Sequence, residues 1–152
     1  MWIQGIDLLS IESSLLRHMP GDNAAGPIRA VAERTRDLVS VVTRVAEILT
    51  GGNPLGTSVE SLLVRLELGL PASAVPVARR LHRRLDRADY LALERAGLMA
   101  PEAITKASDE ALLEVLRVKT KVDLVLEAAR VLISRAEEPS GEHPVMPHIE
   151  PH

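Results

Sequence analysis

Pro27-Ile-Arg-Ala-Val-Ala-Glu-Arg-Thr-Arg-Asp-Leu-Val-Ser-Val-Val-Thr-Arg-Val-Ala-Glu-Ile-Leu49 is the stretch that decides the fold. After Pro27 neither Gly nor Pro interrupts it, and Pro suits a first helical position because its missing N–H has no intrahelical partner there anyway. Its 23 residues span about 35 Å at 1.5 Å per residue. Val31, Thr35, Leu38, Val42, Val45 and Leu49 share one face, flanked by Ile28, Val39 and Ala46. This spacing predicts a helix with a wide stripe turned to the core. Thr50-Gly51-Gly52-Asn53-Pro54 ends it, since Gly and Pro cannot continue a helix cheaply.

Upstream, residues 6–17 carry helical spacing at Ile6, Leu9, Leu15 and Leu16, and Pro20-Gly21-Asp22-Asn23 reads as a loop. Downstream, a helix near 58–68 closes at Gly69. Another is expected over 73–85 with Ser73 as its N-cap and Pro76 in its first turn. A short helix over 87–96 ends at Gly97, and Pro101–Lys106 adds one or two turns. Ser108-Asp109-Glu110 starts a last helical pattern that reaches about Arg135, because oxygen acceptors and acids suit a helix N-terminus. A break near Lys119–Lys121 is possible, although no breaker residue marks it. From Glu137 onward Pro and His replace core formers, which predicts a flexible tail.

The fold class expected is therefore all-α. A bundle built on one long helix comes first (1–70), then a helix-hairpin-helix-like unit with a long closing helix (71–136), then the tail (137–152). Composition agrees. Aromatics are 1% and hydrophobic residues 46%, so the core must be Leu, Val, Ile and Ala, which suits packed helices. Net charge is −3, so any pull on polyanions must come from local patches. With no cysteine there are no disulfides and no thiolate metal sites, and a reducing, cytoplasmic setting is expected. No apolar run approaches the roughly 20 residues that span a bilayer, so no membrane partner is expected.

Several tempting features read as bland. Gly51-Gly-Asn-Pro-Leu-Gly-Thr-Ser58 lacks the Lys of a phosphate loop and follows no strand, so it reads as a linker. His143, His148 and His152 fit no rigid metal geometry. His18 and His82 are isolated. The carboxylates scatter along solvent faces, and no catalytic set can be assembled. Two features stand out. Arg29, Arg36, Ser40 and Thr43 fall within about 60° of one another at 100° per residue, opposite the apolar stripe, with Arg44 adjacent. Guanidiniums spaced one to two turns apart suit successive phosphates of a single strand, while a solvated face with Glu33, Asp37 and Glu47 is the alternative. The second is Arg79-Arg80-Leu-His-Arg83-Arg84-Leu-Asp-Arg87. Its five Arg and one Asp give +4 over nine residues, with Val75, Ala78, Leu81 and Leu85 on the buried side. Phosphate attraction is the natural use of such a face, and an acidic partner surface or internal pairing is the alternative.

At these residues the chain resembles the C-terminal accessory region of Ski-type superfamily-two DEAD/DEAH-box helicases, over roughly 1–117. Trp2-Ile3-Gln4-Gly5, Ile11-Glu12 and Gly21-Asp22 resemble the start of that family's helical bundle. Ile28 to Leu49 resembles its ratchet helix, which lies beside the translocating strand. Leu62 to Leu70 resembles its Leu-x-x-Arg-x-x-x-Gly element. Arg87 to Leu98 resembles the second helix of its helix-hairpin-helix module, continued by Pro101-Glu102-Ala103-Ile104 and Ala111-Leu112. Asp37 stands where such helices can carry a stacking aromatic, and Arg84 and Asp86 stand where hairpin glycines approach phosphate. The resemblance implies an accessory domain that guides single-stranded or forked nucleic acid for upstream motor domains. Arg29, Arg36, Ser40, Thr43 and Arg44 would guide the strand; Arg79, Arg80, Arg83, Arg84 and Arg87 would hold phosphates. No Walker-type lysine loop is present, so ATP and magnesium are expected only in a motor region outside this chain. No enzyme activity, no cofactor and no small-molecule substrate are expected of the chain itself. The rival expectation is a protein-interaction module that docks to or regulates the motor.

Overall fold

The computed structural model describes residues 1–16, 25–52 and 55–137. The fold is all-α, with eight α-helices and no strand among those residues. A 3₁₀ turn at Trp2–Gln4 precedes α1 (Leu8–Leu16) and α2 (Ala25–Thr50). Then come α3 (Gly56–Leu68), α4 (Val75–Leu81), α5 (Arg87–Arg95), α6 (Pro101–Lys106), α7 (Asp109–Leu116) and α8 (Lys119–Glu137). The predicted loop at 20–23 and the tail from 138 onward lie outside the described residues.

The core runs from Leu70 to Ala129 and is almost purely aliphatic. Leu70, Val77, Leu93, Ile104, Leu112, Val122 and Val125 are fully buried, and α8 packs against α4, α6 and α7. The one buried aromatic, Tyr90, has its hydroxyl donating to the His82 carbonyl (2.8 Å). Burial pushes that phenol well above its ordinary range, because the charged form would lose its water. Val64 and Leu68 at the end of α3 lean on the same core, so α3 joins the N-terminal helices to the rest.

The helix ends follow local chemistry. Asp86 and Asp89 form a reciprocal capping box at the start of α5, and the Ser108 hydroxyl accepts the Ala111 N–H (3.2 Å) at the start of α7. Both arrangements satisfy amides that have no partner inside the helix. Two sequence expectations are corrected. Ser73 does not cap a helix over 73–85; it sits in a 3₁₀ turn at Ala72–Ala74, and its hydroxyl donates to Glu94 (2.9 Å). The helix that follows is shorter, because His82 turns to φ 48°. The pattern from Ser108 to Arg135 is two helices, as a break near Lys119–Lys121 would make it, parted slightly earlier where Arg117 takes the left-handed conformation at φ 62°.

The largest correction concerns α2. Its stripe was expected in the core, yet Val31, Leu38, Val42, Val45 and Leu49 are exposed at 63%, 65%, 64%, 50% and 80%, and Thr35 is exposed as well. The buried side is rotated toward Ile28 and Ala32, with Val39 and Ala46 half-buried. The physical reason is the lack of neighbours. The helix packs chiefly on α3, and one helix covers only a narrow arc of another.

Candidate functional site

The arginines expected to bind nucleic acid distribute unevenly. Arg29 and Arg36 do not share an outward stripe opposite a buried one. Arg29 is exposed, whereas Arg36 is turned inward at 30% exposure and pairs weakly with Asp37 (3.5 Å). The Ser40 and Thr43 hydroxyls donate to the Arg36 and Val39 carbonyls (3.1 and 2.7 Å). A hydroxyl hydrogen given to the helix's own backbone is not available to a phosphate. Arg44 is exposed and pairs with Glu47 (2.9 Å) one turn on.

In the second cluster, Arg79 pairs with Glu60 (3.3 Å) and Arg83 with Glu67 (3.0 Å). Exposed ion pairs of this kind are weak, so the acids dilute the positive charge more than they lock it. Arg80 and Arg84 are exposed and make no ion pair among the described residues. Asp86, expected where a hairpin glycine would approach phosphate, is the cap of α5 and also accepts from Lys121 (3.4 Å). Lys121 donates to Asp89 as well (2.6 Å), and that hydrogen bond holds its ammonium above the usual range.

Arg87 belongs to the fold. Its Nε–H donates to the Gly69 carbonyl (2.9 Å) and its terminal nitrogen to the Ile6 carbonyl (2.6 Å). Its guanidinium lies over the Trp2 ring, 4.6 Å from the centroid. Burial lowers its pKa, though a guanidinium keeps its charge at any physiological pH. The Trp2 indole N–H donates to the Leu66 carbonyl (2.8 Å), and Arg65 donates to the Ile3 carbonyl (3.0 Å). Gly69, at φ 67°, admits this stack: a Cβ there would sit 2.6 Å from both Arg87 Nε and the indole. The Leu-x-x-Arg-x-x-x-Gly element and the Trp-Ile-Gln-Gly segment are thus two halves of one structural clasp.

Sequence reasoning did not foresee that the two arginine groups meet. Arg29 and Arg36 from α2 face Arg83 and Arg87 across a cleft of about 440 Å³, with Trp2 in its wall. Glu33, Glu67 and Asp86 line it too, so its field is mixed. Beside it lies a second hollow shared by Trp2, Asp7, Arg29, Arg87 and Arg95. Asp7 there is held below its ordinary pKa, chiefly by the Ser10 hydroxyl, which donates to it (2.6 Å).

The second candidate surface is the outward side of α2. Besides the five stripe residues, Val41 and Ile48 are 61% and 69% exposed. Seven large aliphatics in the open on one helix exceed the scattered exposed Leu or Val that any protein shows. Among the described residues no group of three or more His, Cys, Asp or Glu is placed to hold a metal ion, and no single helix is long and apolar enough to cross a membrane. Family models, curated proteins and solved structures contain no match to this chain.

Proposed function

We propose that this chain is a protein-interaction helical module whose docking face is the apolar side of α2. The observation that carries it is the exposure of Val31, Leu38, Val41, Val42, Val45, Ile48 and Leu49, each at 50% or more. Water around so much aliphatic surface is costly, and covering it with a partner's apolar face recovers that cost at about 25 cal/mol per Å². The helicase resemblance gives such a module a setting, as a part that docks to or regulates a motor. The chain itself does no ATP chemistry in this reading.

A Leu38→Cys substitution tests the docking face, because the chain has no other thiol. In dilute protein the thiol is expected to react with a maleimide at nearly the rate of an unfolded peptide. A thiol blocked at every dilution in a monomeric sample would overturn the reading.

The second reading is the nucleic-acid-binding accessory domain, favoured by the convergence of Arg29, Arg36, Arg83 and Arg87 on one cleft with an indole in its wall. Fluorescence anisotropy with labelled single-stranded and forked DNA decides it. Phosphate contacts are strongest at low salt, so no binding at roughly 50 mM salt removes this reading. If binding is found, changing Arg79, Arg80, Arg83 and Arg84 to Ala should flatten the salt slope by up to about 2.8, at 0.7 per cation on a single strand.

A further inference from the structure

Resting on the docking reading, we infer that the occupant of the α2 face is a second copy of this chain, packed antiparallel. The exposed stripe is a heptad seam. Val31, Thr35, Leu38, Val42, Val45 and Leu49 follow one another at alternating steps of four and three residues, the repeat that keeps one helix facing another; Ile28, one step earlier, is already buried. The only polar member, Thr35, has its hydroxyl donating to the Val31 carbonyl (2.8 Å), so it can be covered with no donor stranded. The seven open aliphatics, each 50% exposed or more, present roughly 700 Å² of accessible surface, against largest patches of about 300–600 Å² on typical monomers. That approaches the roughly 800 Å² per partner of a stable interface.

The orientation follows from the flanks. One flank, with Ala32, Val39 and Ala46, is already turned to the body of the protein. The other, with Val41 and Ile48, is open. A parallel pair brings the open flank of one copy against the covered flank of the other. An antiparallel pair brings open flank to open flank. In that arrangement Val31 meets Leu49 of the other copy, Thr35 meets Val45, and Leu38 meets Val42, all in one register.

Sedimentation velocity of the full chain is expected to give twice its 16.5 kDa. Leu38→Glu places two carboxylates in the seam of each dimer and should weaken association roughly 100-fold or more, with the far-UV circular dichroism of the monomer unchanged. A mixture of Thr35→Cys and Val45→Cys chains should form a crossed dimer with a short bis-maleimide, while Thr35→Cys alone should not. Its two thiols would lie about 15 Å apart along the seam, at 1.5 Å per residue. Strong cross-linking of Thr35→Cys to itself would overturn the antiparallel register. A dimer untouched by Leu38→Glu would place the interface elsewhere and overturn the inference. A monomer whose Leu38→Cys thiol reacts freely would remove the second copy and leave the docking reading standing. A monomer with that thiol blocked would remove both.

Discussion

Two parts of this molecule are built from the same aliphatic residues and treat them in opposite ways. From Leu70 to Ala129, short helices surround α8 on several sides, and Val77, Leu93, Ile104 and Val125 reach zero exposure. In α2, which has a single main neighbour, only Ile28 and Ala32 are buried. Burial depends on how many elements can reach a face. A hydrophobic period announces a face and leaves its partner unnamed.

The contrast breaks most visibly under truncation. Leu93→Ala or Ile104→Ala is expected to cost about 2–5 kcal/mol in urea unfolding, because each leaves a cavity in a closed core. Leu38→Ala in α2 should change the stability of the monomer by no more than about 0.5 kcal/mol. Equal losses at the two places would show that α2 is covered after all.

The joint between the two parts offers the next largest effect. Gly69→Ala forces a side chain into left-handed backbone and against the Trp2–Arg87 stack. A loss of about 2–4 kcal/mol is expected by thermal unfolding. If instead only the first helices loosen, seen as early hydrogen exchange in α1 and α2, the clasp holds the N-terminal part alone.

Within the core part, strain can be relieved. His82 occupies φ 48°, ψ −124°, a conformation that favours glycine. His82→Gly is expected to gain about 1 kcal/mol despite the freer unfolded chain; a loss would mean that the imidazole packs usefully against the turn.

The smallest effect is one of pH. Asp7 is held below its ordinary pKa by the Ser10 hydroxyl and amide. A carboxylate with a depressed folded pKa stabilises above its unfolded value and loses that support as pH falls through the folded one. The start of α1 should therefore fray below the ordinary carboxylate range, and the Ser10 amide shift in NMR should follow Asp7. No change in that shift down to strong acid would remove the cap.

Much of the architecture could be read directly. Gly69 and Gly97 mark real helix ends, Pro101–Lys106 is a helix as written, and Ser108 is a true cap. The break before α8 was expected near Lys119–Lys121 and falls slightly earlier, at Arg117, since an arginine in left-handed conformation leaves no trace in composition. The outward turn of α2 was hidden for a different reason: its apolar repeat is genuine, and only the placement of α3 decides which flank is covered. The candidate site was legible in its parts. Arg29, Arg36, Arg83 and Arg87 could be named, but their meeting depends on a clasp between Trp2 and Leu66, which lie 64 residues apart.

That clasp has a practical side. The chain holds one tryptophan, and its ring forms part of the wall of the arginine-lined cleft beneath a guanidinium. The intrinsic emission of that indole is therefore a built-in optical gauge of the cleft, and whatever settles there can be titrated without a dye.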